Sequence, residues 1–494
     1  MEQEKTKLSD RLDENIELMK ILFHNDGTLR YRYIENRYRP LVKCCLFYID
    51  GMIDNKLMNE DIIRPLLLYP FERKPASMID DIANKITFSN NVEKTDDIEE
   101  IIRSVVYGDT VLFLDGSDVA LIFNTKGWIT RSISEPEGEK VLRGPREGFN
   151  EALLINLTMV RRRLRTQELK MEFQTFGTRS QTRACICYLG NLANPQILEE
   201  LKKRLETIQI DGTLDVNYIN EYIKDAPYSF FKTIGTTERP DIVAGKLLEG
   251  RIALFLDGTP EVLTLPFLFI ENFQSDDDYY TNYYFSSIGR LLRIFSFSVS
   301  ISVPAIYVAL VAFHHELLPT DLTLSISVAR SSIAAPTWLE AILMLLMFEI
   351  LRETGLRAPN SIGQALSIVG ALVIGQAAVE ARLISAPMVI IVAFSGITGI
   401  MLMRMKGSII ILRFMFLFLA SFIGIYGIIF GMMGLLIHLF NMRSFGIPFM
   451  NSSVADDFQD NKDTFVRAPW WYMIKRPKFM SQDPVRSASD GDPG

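Results

Sequence analysis

A two-lobed α/β soluble N-terminal domain followed by an all-α multi-pass transmembrane domain is the fold class this sequence predicts. Three observations carry that reading. Uncharged stretches of 20, 22, 21 and 29 residues crowd together at Ile294–Phe313, Ala358–Val379, Leu383–Met403 and Phe414–Met442. A bilayer core needs about 20 apolar residues as a helix. Ahead of them, helical and strand-like patterns alternate, which favours α/β. Third, the chain mixes 48% hydrophobic with 22% charged residues, as half soluble and half membrane would.

Residues 1–25 form an amphipathic helix with Leu8, Leu12, Ile16, Met19 and Leu22 at helical spacing. This charged start has no apolar core of a signal peptide, so the head is expected in the cytoplasm. The head then carries an internal echo. Gly108-Asp-Thr-Val-Leu-Phe-Leu-Asp-Gly-Ser117 recurs as Gly250-Arg-Ile-Ala-Leu-Phe-Leu-Asp-Gly-Thr259. Each is a strand running into Asp-Gly, which supplies the positive φ of a tight hairpin. Asp115 and Asp257 therefore read as turn residues rather than catalysts. The echo predicts two related lobes, 26–160 and 161–285.

Cys44/Cys45 and Cys185/Cys187 suit buried sheet positions, reduced in a cytoplasmic head. Four histidines are too few for a histidine-built metal site or triad. No phosphate loop, nucleophile elbow or zinc spacing occurs. No catalytic residue, metal or cofactor is expected, and a net charge of −7 gives no reason for a nucleic-acid partner. Arg161, Arg162, Arg163 and Arg165 lie between the lobes. They are a solvated helix face, or a contact with anionic lipid or an acidic neighbouring subunit.

The transmembrane domain is expected over 286–445. Arg290 and Arg293 mark the inner end of its first span. Pro304 should kink that span, and neighbouring helices must cover the carbonyl it frees. Residues 314–336 read as an outer loop. Thr337–Arg352 is a span, a re-entrant element or a surface helix, and carries Glu340 and Glu349. Glu349 has Arg352 and Arg357 as partners, or faces water. On Ala358–Val379, Gly363, Ser367, Gly370, Ile374 and Ala377 share one face, with Gly375 beside it. Tight helix packing explains them. A pore-lining helix explains them too, with Gln364, Ser367 and Gln376 offering polar atoms and Glu349 or Glu380 setting cation preference. Gly427 and Gly431 form a G-x-x-x-G packing motif. Phe414–Met442 is long enough to fold as a hairpin, which would return the tail of 446–494 to the cytoplasm. That tail is expected to be disordered after about 480.

Several strings then resemble one family. They are Ser134-Glu-Pro-Glu137, Val141-Leu-Arg-Gly-Pro-Arg-Glu-Gly-Phe149, Arg161-Arg-Arg-Leu-Arg-Thr166, Thr237-Glu-Arg-Pro-Asp241 and Leu248-Glu-Gly-Arg-Ile252. Glu349-Ile-Leu-Arg-Glu-Thr-Gly-Leu-Arg357, Ile374-Gly-Gln-Ala-Ala-Val-Glu380, Arg443-Ser-Phe-Gly-Ile-Pro448 and Phe465-Val-Arg-Ala-Pro-Trp-Trp471 continue the series. Over about residues 40–478 the chain is similar to the A subunits of bacterial spore germinant receptors, the GerA family. The resemblance implies a multi-pass protein of the spore inner membrane. Its partners would be a transporter-like membrane subunit and a lipoprotein subunit. It also implies a homo-oligomer that forms a nutrient-gated cation channel triggering germination. A secondary transporter, or a scaffold or accessory protein without its own pore, stays open as the alternative.

Overall fold

The computed structural model describes residues 7–38, 42–71, 75–88, 91–127, 139, 143–357, 373, 375–450, 462–477 and 479–486. Its first five strands are β1 (Leu29–Glu35), β2 (Lys43–Ile49), β3 (Val92–Thr95), β4 (Thr110–Leu114) and β5 (Ala120–Phe123), in the order β1-β2-β4-β5-β3. The next five are β6 (Leu169–Phe176), β7 (Thr182–Leu189), β8 (Gly235–Thr237), β9 (Ile252–Leu256) and β10 (Val262–Leu265). Their order, β6-β7-β9-β10-β8, repeats the first sheet strand for strand. Register repeats too: Cys45 faces Phe113 across β2 and β4, and Cys185 faces Phe255 across β7 and β9. All pairings within both sheets are antiparallel.

Helices cover both faces of each sheet, which is why strands such as Lys43-Cys-Cys-Leu-Phe-Tyr-Ile49 read as nearly continuous apolar runs. In the first lobe, α1 (Leu12–Leu22) and α2 (Ile98–Tyr107) pack with Cys45, Phe47 and Ile49. The helical segments 55–68 and 75–86 pack on the opposite face with Cys44 and Leu46. In the second lobe, α3 (Leu153–Arg163), α4 (Pro195–Glu206), α5 (Val216–Ile223) and α6 (Pro240–Leu248) take the corresponding places. Two expectations change here. The N-terminal helix is no separate unit, because Leu12, Ile16 and Met19 are buried in the first lobe's core. The second lobe begins before 161, because Leu153, Leu157 and Val160 of α3 pack with Cys185 and Cys187.

The Asp-Gly turns explain why both lobes start alike. Gly116 and Gly258 take φ of +82° and +88°, where a side chain would be strained. Each aspartate then accepts from the first backbone N–H of the lobe's opening helix. Leu12 N donates to Asp115 at 3.3 Å, and Leu153 N donates to Asp257 at 3.0 Å. A carboxylate there satisfies an orphan donor and complements the helix dipole. All four cysteines are buried thiols; burial pushes Cys44, Cys45 and Cys187 up to about 12.

The described remainder is mainly a helical bundle, α7 (Tyr283–Ala312), α8 (Thr320–Arg330), α9 (Thr337–Arg357), α10 (Ala386–Ile400), α11 (Lys406–Ile423) and α12 (Ile425–Asn441), followed by a short antiparallel pair of Arg443–Ser444 with Ile447–Pro448. Tyr283–Ala312 and Met403–Ile423 are long and apolar enough to cross a membrane, while Ala386–Ile400 and Ile425–Asn441 are shorter apolar helices. The run Phe414–Met442 is broken at Gly424, whose φ of +66° turns the chain between α11 and α12. Residues 314–336 are no plain loop, since they hold the exposed helix α8. Both Gly424 and α8 lie at the end of the bundle remote from the head, where a Cβ on Gly424 would touch His314 and Phe313.

The tail is a further correction. Ser481–Arg486, expected to be disordered, lies along the second lobe. Gln482 N donates to Leu192 O at 2.9 Å, and Arg486 pairs with Glu249 at 3.3 Å. A Cβ on Gly250 would come within 2.7 Å of Met480 O, so only glycine lets this segment pass so close. Residues 487–494 lie outside the described residues.

Candidate functional site

The second lobe and the bundle share one continuous apolar core, running from Ile186 and Leu254 through Phe267 and Phe273 to Phe297, Leu412 and Phe416. Backbone and side chains stitch across it. Phe269 N donates to Phe449 O at 3.1 Å, Ser408 Oγ to Phe230 O at 2.5 Å, and Ser444 Oγ to Thr233 O at 2.7 Å. Fixed phenylalanine rings and buried hydrogen bonds make a joint that transmits displacement rather than absorbing it.

Ion pairs flank the joint. Arg290, on the first turns of α7, is fully buried; its Nε donates to Asp278 at 3.0 Å and its Nη1 to Asp463 of the tail at 2.8 Å. Tyr279 Oη donates to the same Asp463 at 2.7 Å. Arg404, between α10 and α11, reaches Asp276 at 3.0 Å and Glu139 at 3.2 Å. Burial holds the Asp276 carboxyl above the usual range, though Arg404 pulls it down. Glu139 also accepts from Thr237 Oγ1, so the chain joining the lobes is tied to the bundle at this point.

A second polar cluster lies within the bundle. Pro304 has no N–H, so the Ser300 carbonyl one turn earlier loses its helical donor. Ser395 Oγ of α10 and Arg413 Nε of α11 donate to it instead, at 2.8 and 3.0 Å. Ser300 Oγ returns a bond to Ser395 O at 3.0 Å. A side chain on Gly399 would strike Ser300 Oγ and Arg413, so glycine there makes room for the cluster. Arg413 Nη1 also binds Glu349 at 3.0 Å, and Arg352 pairs with the same carboxylate. Farther out, buried Glu340 accepts from Ser385 N and Oγ at the start of α10, and pairs with Arg330 at 3.0 Å.

The residues expected from sequence fall into three groups. Gly363, Gln364, Ser367, Gly370 and Ile374 lie outside the described residues. Gln376 and Glu380 are exposed and bonded to each other at 3.0 Å, and Gly375 stands near Val389. Gly427 and Gly431 pack on α11, where added Cβ atoms would lie 2.3 Å from Leu419 O and 2.9 Å from Leu419 Cδ1. The basic run serves the head itself. Arg161 is buried and binds Asp26 at 2.7 Å between the lobes, so its side chain meets neither lipid nor another subunit. Arg163 binds Glu147 at 2.7 Å with Arg162 at 3.8 Å, and Arg165 stacks over Tyr107 at 4.1 Å. Sequence reasoning does not find Arg413, Arg404 and Asp463, because a basic residue near an apolar end signals sidedness and its distant partner leaves no local trace.

A family model described as Bacillus/Clostridium GerA spore germination protein matches residues 17–479. Uncharacterized membrane protein YfkQ of Bacillus subtilis (strain 168) is 40% identical, over 96% of this chain and 92% of its own length. Spore germination protein KA of the same organism is 38% identical, over 100% of this chain and 91% of its own. Spore germination protein GerLA of Bacillus cereus is 34% identical, over 92% of each. The crystal structure of the N-terminal domain of the A subunit of the Bacillus megaterium spore germinant receptor GerK3 is 30% identical, with a TM-score of 0.40, covering 54% of this chain and 99% of that one. Matched along nearly its whole length, the chain belongs to the GerA spore germination family.

Proposed function

We propose that this protein is the A-type membrane subunit of a spore germinant receptor. It works with a transporter-like membrane subunit and a lipoprotein subunit, and its copies assemble into a nutrient-gated cation channel. The head and tail lie on the cytoplasmic side of the spore inner membrane. The observation that carries this reading is the joint: a shared core and the Arg290 and Arg404 clusters couple the second lobe to α7, α10 and α11. A receptor subunit needs such a coupling, because gating requires the head to bias two packings of the bundle.

The placement of charges refines the pore. Glu349 is neutralised by Arg413 and Arg352, which suits it to holding helices together rather than attracting cations. Glu380, exposed beside Gln376, is then the carboxylate that sets cation preference. The test is potassium release from liposomes holding the chain with its partner subunits, on addition of candidate nutrients. Arg404→Ala should abolish the nutrient response while the complex still assembles, and Glu380→Gln should change cation selectivity. Assembly with nutrient binding but without ion flux in the unsubstituted complex would place the pore in another subunit.

A further inference from the structure

We propose that a cavity beside the joint is a binding site for a compact, net-neutral, ring-bearing small molecule. The cavity holds about 390 Å³ and opens between α6, the segment after β10, the loop carrying Arg404 and the returning tail. Small-molecule sites occupy volumes of this order. Four separate stretches of chain meet around it, so an occupant would touch the head, the entrance to α7, the α10–α11 loop and the tail at once.

One face of α6 lines it, through Asp241, Gly245 and Leu248. A Cβ on Gly245 would meet nothing within 4 Å. Glycine is the poorest ordinary helix former, and a larger residue would fit without a clash. The space beside it is therefore open room rather than a packing contact. Phe267 and Ile242 supply apolar wall, and Tyr280 and Trp470 supply rings against which a planar molecule stacks. Thr236 and Gln274 supply hydrogen-bonding groups.

The charge state of the ligand follows from the lining ions, which are already committed. Asp241 is held by Arg239 and by Tyr280 Oη, each at 2.6 Å. Glu271 holds Lys246, and Glu249 holds Arg486. Arg404 is taken by Asp276, and Arg476 donates to Leu248 O at 2.9 Å. Lys232 lines the rim and is solvent-exposed. A cation would have to break the deep pairs of Asp241 with Arg239 or of Glu271 with Lys246, which is costly, and an anion finds only the solvent-exposed Lys232, whose attraction water screens. A neutral ring with an amide or hydroxyl group meets no such penalty. Its binding energy would hold the tail, loop and second lobe closed on one another.

The test uses the full chain in lipid nanodiscs and saturation-transfer NMR. The probes are indole-3-carboxamide and its anionic analogue, indole-3-carboxylate. The carboxamide should bind, and the carboxylate should bind about tenfold more weakly or worse, a gap well beyond measurement scatter. Gly245→Leu should weaken the carboxamide about tenfold without lowering the melting temperature, because it fills open space. Gly245→Met, a more flexible plug, should do the same. Gly407→Leu is the matched control, since Gly407 also has nothing within 4 Å yet does not border the cavity. No binding of the carboxamide to the unsubstituted chain, equal binding to the plugged variants, or equal binding of the two probes would each overturn the proposal. The result is independent of the channel reading, because it is read without partner subunits and without ion flux.

Discussion

The two lobes share strand order, register and opening cap, yet they treat the same corner of the fold in opposite ways. At the start of β4, Asp109 pairs with Lys126 at 2.7 Å in a partly exposed bridge. At the matching start of β9, Arg251 binds Glu271 inside a buried network that also holds Lys246 and Glu249. The charges are reversed and the second pair is far deeper. The first lobe faces water at this corner. The second turns it toward the bundle, where the segment carrying Glu271 leads into α7. A repeated unit has thus become a head in one copy and an anchor in the other, by changing the ions at one corner rather than the scaffold.

The largest expected effect tests that asymmetry. Glu271→Ala removes the carboxylate shared by buried Arg251 and Lys246, leaving Glu249 alone to hold Arg251, and should cost about 3–5 kcal/mol, against about 1 kcal/mol for Lys126→Ala, which strands a single carboxylate in the first lobe. Thermal unfolding of the full chain in nanodiscs reads both. Equal losses would break the comparison. Arg161→Ala removes the buried partner of Asp26 between the lobes and should also cost about 3–5 kcal/mol. Combining Arg161→Met with Asp26→Asn should recover much of that loss, because no buried charge is then stranded.

Acid should separate the lobes next. Burial alone would raise Glu271, but Arg251 and Lys246 outweigh it and hold it below 4.5. Glu249 is held down in the same way by Lys246 and Arg251. Their stabilisation is present above the unfolded value of 4.5 and is lost as pH falls through the folded values. Asp109 is shifted the other way, raised by burial despite Lys126, so the folded first lobe gains from taking up its proton. Hydrogen exchange on the full chain should show the second lobe losing protection first below about pH 4. Simultaneous loss would mean that the buried network does not set acid stability.

The smallest effect tests what the lobes share. Asp115→Ala and Asp257→Ala each remove one helix cap and should each cost about 1 kcal/mol. A cost in one lobe only would show that the caps are equivalent in geometry but not in energy.

How much of this the sequence revealed depends on the range of the interaction. The Asp-Gly turns were legible because a positive φ is a local demand. That Asp257 also caps α3 was not, since its partner lies 104 residues away. Pro304 announced a carbonyl in need of donors, and the structure supplies Ser395 and Arg413, whose identity no local rule gives. Arg161 sat in a basic run that reads as a solvated face; Asp26, 135 residues away, makes it a buried ion instead. Ser481–Arg486 had the composition of a loose end, but backbone bonds such as Gln482 N to Leu192 O hold it regardless of composition. Of the expected pore helix, Gly363, Gln364, Ser367, Gly370 and Ile374 lie outside the described residues, and Gly375, Gln376, Ala377 and Glu380 are described.

The segment that threads past Gly250 has a consequence in time. Residues 479–486 are synthesised after every helix of the bundle, yet they complete the surface of a lobe made hundreds of residues earlier. Lobes fold as they emerge, N-terminal first. Residues 479–486 therefore reach the second lobe only after the helices of the bundle have been synthesised. A chain interrupted before this segment would lack the bond of Gln482 N to Leu192 O and the pair of Arg486 with Glu249.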